Sequence, residues 1–336
     1  MKKFLASIIA VVLAVSGLSV ISITANAATI FISGNYEYTV NSDDTVNIAG
    51  YKGIATDITI PSQILNKNVV KISDNSFYNN STLTSVKIPN TIKVVGSMAF
   101  HNCTKLSKVI LPSNLTEIGY NAFEGTTALT TITIPKTVTT AGNNVFNGSA
   151  LKTATIENGA TAVADNLFSN AKNLTKVTIP NTVKKIGSMS FYDCTKLSSV
   201  TLPNTLTSIE TSAFKNCQAM KSITIPKSVT YFGTTAVGYS DGRVIDGFII
   251  YGYKNTKAQT YATKNKITFK ALQEETVPVG DINNDGKIDV SDVTYLQMYL
   301  SGNSSYVIKN TKAADANGDG KIDVADVTKI QTIIAS

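Results

Sequence analysis

The stretch LTSVKIPNTIKVVGSMAFHNC (83–103) is one copy of a unit that recurs through the middle of the chain. Phe77, Phe100, Phe123, Phe146, Phe168, Phe191 and Phe214 mark successive copies at steps of 23 residues, with a single step of 22. Leu83, Leu106, Leu129, Leu151, Leu174, Leu197 and Met220 keep the same beat. So do Ile60-Pro61, Ile88-Pro89, Leu111-Pro112, Ile134-Pro135, Ile179-Pro180, Leu202-Pro203 and Ile225-Pro226, and Ile156-Glu157 is the one copy without proline. A fixed period of this size is the signature of a stacked architecture, because one unit cannot bury its own apolar side.

The unit reads LxxVxIPxxVxxIGxxAFxNCxx. VxI makes a short strand with alternate residues inward, and proline ends it because it cannot donate to a ladder. Gly96, Gly119, Gly142 and Gly187 are expected to allow a tight bend before a short helical turn that ends near the Phe. The expected fold is a mainly β, α/β leucine-rich-repeat solenoid, one parallel strand and one helical turn per copy, over residues 58–235. A β-sandwich would need alternating strands joined by two-residue turns, which the sequence lacks. Residues 28–57 depart from the unit and read as an N-terminal cap. The run Ile249–Tyr253, a helix over 258–265 and Ile267-Thr268-Phe269 read as the closing part of a cap over 236–272.

These copies resemble the leucine-rich repeat of the BspA-like kind. The resemblance implies a concave face formed by residues flanking the inward strand positions. Lys87, Lys108, Thr133, Thr155, Thr178, Thr201 and Thr224 are the candidates for contacting a protein or glycan ligand there. The face reads as a threonine ladder with sparse lysines and no aromatic side chain. Cys103, Cys194 and Cys217 each stand three residues after a repeat Phe, where other copies have Thr126, Ser149 or Ala171. A small buried slot explains all of these, and a Cys194–Cys217 bridge between adjacent copies stays open as an alternative.

The carboxyl end is different. DINNDGKIDVSD (281–292) and DANGDGKIDVAD (315–326) are two acidic twelve-residue loops in register. Calcium takes six to eight oxygens, and side chains at loop positions 1, 3, 5, 9 and 12 with a carbonyl at 7 surround it. The ligand sets are Asp281, Asn283, Asp285, Asp289 and Asp292, with Lys287 lending its carbonyl, and Asp315, Asn317, Asp319, Asp323 and Asp326, with Lys321 doing the same. Two Ca2+ ions are therefore expected. Position 12 is Asp rather than the Glu of a helix–loop–helix hand, and no amphipathic helix precedes the first loop. Each loop instead feeds one helix, with Val290, Val293, Leu296 and Leu300, then Val324, Val327, Ile330 and Ile334, at helical spacing.

This arrangement, over residues 280–336 and after a linker at 273–279, resembles a type I dockerin, a small all-α module with two F-hand-like calcium loops. The resemblance implies a cohesin domain of a scaffoldin as partner. It places cohesin contacts on Val290, Ser291, Gln297 and Met298 and on Val324, Ala325, Gln331 and Thr332, with either helix able to face the cohesin. Val-Ser and Val-Ala stand where the best-known dockerins carry Ser-Thr. Val290 and Val324 are readable equally as contacts or as core.

Composition bounds the rest. Lys2 and Lys3, an apolar run and Ala25-Asn26-Ala27 read as a secretory signal over 1–27, with no membrane span after its removal and an extracellular destination. The formal net charge is +7, and residues 280–336 hold eight Asp against five Lys. The positive surplus of the preceding segment reads as spread along the chain, which argues against nucleic acid. His101 is the single histidine and sits in a slot that reads as solvent-facing. No paired catalytic carboxylates, nucleophile elbow, zinc-ligand cluster or phosphate loop stands out. The sequence thus reads as a non-catalytic binding protein tethered by its carboxyl end, in the context of polysaccharide degradation. The alternatives are a protease inhibitor or host-directed adhesin, or a polysaccharide hydrolase.

Overall fold

A computed structural model describes residues 20–21, 29–273 and 278–336. The expected leader (1–27) lies outside the described residues apart from Val20 and Ile21, as does most of the 273–279 linker. The chain forms two compact units, Met1–Leu272 and Gln273–Ser336.

In the first unit the repeats stack as coils joined by parallel ladders. Ser85–Lys87 pairs with Asp57–Thr59 on one side and Lys108–Ile110 on the other. Thr153–Ile156 lies between Thr131–Ile134 and Lys176–Thr178, and Ile249–Gly252 between Ser222–Thr224 and Thr268–Ala271. No strand forms at 199–201. Glu157, standing where other copies have proline, has an amide to donate, and it reaches the Ile134 carbonyl at 3.0 Å.

Each coil also carries a second, two-residue strand. Val94–Val95, Glu117–Ile118 and Thr140–Ala141 pair in parallel. Ala162–Val163, Lys185–Ile186, Ser208–Ile209 and Tyr231–Phe232 form a further run. The repeat turns are i→i+3 hydrogen-bonded turns rather than helices; His101 N–H donates to the Met98 carbonyl and Cys103 N–H to that of Phe100.

Between the ladders the repeat phenylalanines form a buried column. Centroid distances from Phe77 through Phe214 run from 4.9 to 5.9 Å, with interplanar angles no larger than 21°. Offset stacking of this kind adds to the apolar burial. Tyr51, from the cap, stacks on Phe77 at 5.5 Å and closes the column at its amino end. That cap is an antiparallel meander of Ile30–Ser33, Tyr36–Val40 and Val46–Tyr51, which joins the coils through parallel pairing with Lys67–Ile72. At the other end α1 (Lys257–Lys264) packs Tyr261 against Phe232 at 4.6 Å.

Threonine hydroxyls tie each coil to the one before. Thr116 Oγ1 donates to the Lys93 carbonyl at 3.1 Å, Thr207 to Lys184 at 2.9 Å and Thr137 to Leu115 at 2.6 Å. The glycines act differently from the expected bend. Gly119 lies outside the positive-φ region, and a Cβ there would meet the Ser97 amide nitrogen at 2.4 Å. It is required by the close approach of neighbouring coils. Left-handed positions fall instead two residues before the repeat Phe, as at Met98, Asn121, Asn144, Asn166 and Met189, and two residues after it, on Asn102, Asn170, Asp193 and Asn216, with Gly125 and Gly148 in that later slot. Asn, Asp and Gly reach that region at least cost.

In the second unit α2 (Val290–Leu300) and α4 (Val324–Ile334) pack together over Ile282, Val293, Leu296, Ala314, Ala316, Val327 and Ile330. A one-turn helix, α3 (Thr311–Ala314), precedes the second loop and buries Ala313 and Ala314, which the loop-then-helix reading leaves out. Val290 and Val324 are 72% and 73% exposed, so neither belongs to the core.

Candidate calcium loops and binding surfaces

The two acidic loops have matching internal geometry. Gly286 and Gly320, at position 6, hold φ of 86° and 83°, and Asn284 and Gly318, at position 4, also lie in the left-handed region. Asp281 Oδ2 accepts the Gly286 amide at 3.0 Å, and Asp315 Oδ2 accepts that of Gly320 at 2.9 Å. Asn283 Oδ1 accepts the Asp285 amide and Asp285 Oδ1 that of Lys287, each at 2.9 Å. Asn317 Oδ1 and Asp319 Oδ1 repeat this on Asp319 and Lys321.

Position 9 begins each helix. Asp289 accepts the Ser291 amide and Asp323 that of Ala325, while Asp292 and Asp326 reach back to the position-9 amides, making two capping boxes. The hydroxyl and amide of Ser291 hold the Asp289 carboxyl below the usual carboxylate range. Asp292 Oδ1 also accepts the Ile282 and Asn283 amides, at 2.7 and 3.1 Å, so position 12 closes the loop onto its helix.

These donors suit a hard cation. Asp281 is 2% exposed and Asp292 and Asp326 are fully buried, and among the described residues none has a basic partner. Buried carboxylates without a cation are costly. Asp315 Oδ1 is buried and makes no hydrogen bond, leaving an oxygen for a ligand to fill. Among the described residues no three acidic, His or Cys side chains already stand at metal-holding distance. A cation would have to draw them inward.

All eight residues that the resemblance assigns to cohesin contact are exposed: Val290, Ser291, Gln297 and Met298 on α2, and Val324, Ala325, Gln331 and Thr332 on α4. Ser291 Oγ accepts from Asn283 Nδ2 at 2.8 Å, which couples that surface position to loop position 3.

On the solenoid, Lys87, Lys108, Thr133, Thr155, Thr178, Thr201 and Thr224 are likewise exposed. They form two columns rather than one. Thr133, Thr155 and Thr178 are in register, and Lys87 aligns with Ile110, whereas Lys108 aligns with Ser85 in the adjacent column. The expectation that this face lacks aromatics is corrected by the cap. Tyr251 aligns with Thr224, and Lys270, next along, stands over its ring at 6.0 Å.

His101 is not solvent-facing: its side chain is only 16% exposed, stacked on Tyr78 at 5.0 Å, with Nε2 3.6 Å from Glu124 Oε2. Equivalent positions on adjacent coils cover one another, which a single repeat does not reveal.

Cys103, Cys194 and Cys217 are buried free thiols. Each donates to the carbonyl of the preceding coil's repeat Phe, at 3.1 to 3.2 Å. Thr126 and Ser149 donate to their own coil's Phe carbonyl at 2.7 Å. The slot therefore selects a small donor. Burial pushes Cys103 up to about 12 and raises Cys194 and Cys217 as well. A thiol reagent at pH 8 is expected to leave the native chain unmodified and to label all three cysteines after denaturation. These thiols stay protonated in the fold while the unfolded chain ionises from its ordinary value of 9.0 upward. Stability is thus intact below pH 9 and declines between 9 and about 12.

Among the described residues no helix is long and apolar enough to cross a membrane. Residues 54–175 and 161–241 match the BspA type leucine rich repeat region in six copies, and residues 279–334 match the dockerin type I domain. A leucine-rich repeat protein from Bacteroides ovatus shares 25% identity at a TM-score of 0.52, over 72% of this chain and 67% of that one. The leucine rich repeat protein of T. pallidum shares 26% at 0.47, over 70% and 95%. No curated protein matches the chain. Leucine-rich repeats and dockerins are typically non-catalytic; type I dockerins are calcium-binding and imply a cohesin partner, and the repeats imply protein binding. The chain belongs to the BspA type leucine rich repeat family and carries a type I dockerin at its carboxyl end.

Proposed function

We propose that this is a secreted, non-catalytic binding protein that docks through its carboxyl end onto a cohesin of a cellulosome-type scaffoldin. Two calcium ions load the loops, through Asp281, Asn283, Asp285, Asp289 and Asp292 and through Asp315, Asn317, Asp319, Asp323 and Asp326, with the Lys287 and Lys321 carbonyls. The solenoid then presents its polar strand face to a protein or glycan in the setting of polysaccharide degradation. The observation that carries this reading is the pair of matching loops whose buried carboxylates have no basic side-chain partner among the described residues, each starting a helix whose outward positions are exposed.

The near-identical loops and helices support docking through either α2 or α4. The test is capture of the full chain, in calcium, on a panel of cohesins. Val290→Glu alone is expected to weaken capture only a few-fold, because the other helix can serve. Val290→Glu with Val324→Glu should reduce it by roughly a hundredfold or more, a loss typical of central contact positions. Failure of every cohesin to capture the chain, or a double variant that binds like the parent, would overturn the reading.

A further inference from the structure

The first unit's positive charge is not spread evenly. Residues 184–272 carry twelve Lys and Arg against four Asp and Glu, whereas residues 28–183 carry eleven against nine. The basic end is also where the solenoid has a cavity. A pocket of about 400 Å3 opens between the last repeat strand, around Tyr231, and α1.

Its chemistry is specific. Tyr231 is 51% exposed at the lining, and its hydroxyl makes no hydrogen bond among the described residues. The stacked pair Phe232 and Tyr261 stiffens the wall, with Tyr261 Oη donating to the Val237 carbonyl at 3.2 Å. Lys257 and Lys264 lie on α1, both exposed, and among the described residues neither has an ion-pair partner. Among the described residues no carboxylate lines the cavity. Seven residues apart, the two lysines sit about 10 Å from one another along the helix axis. Thr234 adds an uncommitted hydroxyl to the same wall.

We infer that this pocket binds a carboxylated oligosaccharide, a chain of hexuronate units, with the Tyr231 ring as stacking platform and Lys257 and Lys264 pairing with carboxylates on separate sugar units. A phosphate group fits less well. The amides of Thr230, Tyr231 and Gly233 already donate to the Thr207 and Ile209 carbonyls, so they form no cradle, and no Arg lines the site. The lysine spacing suits an oligomer, because carboxylates on successive sugar units match ammonium groups whose backbone positions stand about 10 Å apart along the helix. This site is separate from the polar strand face and does not depend on docking to cohesin.

The test is calorimetric titration of the full chain with a galacturonate oligomer too short to gel with calcium. Two further ligands are run in parallel, the same oligomer fully methyl-esterified and a glutamate peptide of equal charge. The variants are Lys257→Gln with Lys264→Gln, and Tyr231→Ala, all at exposed positions. The acid oligomer is expected to bind, and esterification, the lysine pair and Tyr231→Ala are each expected to weaken it by about tenfold or more. Cohesin capture by the same variants should be unchanged, which separates this site from the docking reading. No binding of the acid oligomer, or equal binding by both variants, would overturn the inference. So would equal affinity for the glutamate peptide with no effect of Tyr231→Ala, because that marks an acidic-peptide surface.

Discussion

Phe146→Ala is expected to lower the stability of the solenoid by about 3–5 kcal/mol, read from urea unfolding of the full chain. Phe146 is fully buried and stacks on Phe123 at 5.6 Å and Phe168 at 5.9 Å. Removing its ring leaves a void in a column that has no other filling, because the flanking turns are pinned by backbone bonds from one coil to the next. Asn121 and Asn166, in the coils on either side, hold left-handed backbone, and Phe123 N–H donates to the Val145 carbonyl at 2.9 Å. Coils so fixed cannot collapse into the gap. The loss should also be local in its first effects, because a stacked array passes stability mainly between neighbours. Hydrogen exchange is expected to quicken in the coils containing Phe123 and Phe168 before it does so near Phe77. A loss below about 1 kcal/mol would mean the column does not hold the stack together.

Chelation is expected to unfold residues 278–336 while leaving the solenoid's transition in place. The small core of the second unit rests on few side chains, chiefly Ile282, Val293, Leu296, Val327 and Ile330. A module of that size rarely folds on apolar burial alone, and metal binding to a site absent from the unfolded chain acts as folding free energy. Scanning calorimetry in calcium should show a transition for this unit that disappears in EDTA and returns when calcium is restored. Asp326→Ala should remove a ligand, an N3 cap and a buried carboxylate at one stroke, and so lower that transition even in calcium. Identical profiles with and without chelator would contradict the role assigned to the loops.

The stack was legible because its signals repeat. Phe, Leu and Ile-Pro return on one period, so their shared burial follows from arithmetic on positions. The second ladder was not legible, since strands such as Glu117–Ile118 and Lys185–Ile186 have two residues and cannot display alternation. The role of the Asn two residues after the Phe was visible only as a letter. Its left-handed backbone, shared with Gly125 and Gly148, supplies the reason. Relations between coils were also hidden. His101 is covered by Tyr78, and Gly119 is pressed against Ser97, each a neighbour 22 or 23 residues away in sequence. In the carboxyl unit the loop spacing marked the candidate ligands, whereas helical spacing left Val290 and Val324 readable equally as core or as contacts. The capping boxes start each helix one residue earlier, at Asp289 and Asp323, and the valines that follow face outward.

The most direct measurement is a calorimetric titration of calcium into the full chain after chelator has been removed. Two ions per chain are expected, with Asp315→Ala reducing the count to one and leaving the first loop able to bind. Absence of binding heat, or a count unchanged by loss of Asp315, would contradict the assignment of the paired loops as calcium sites.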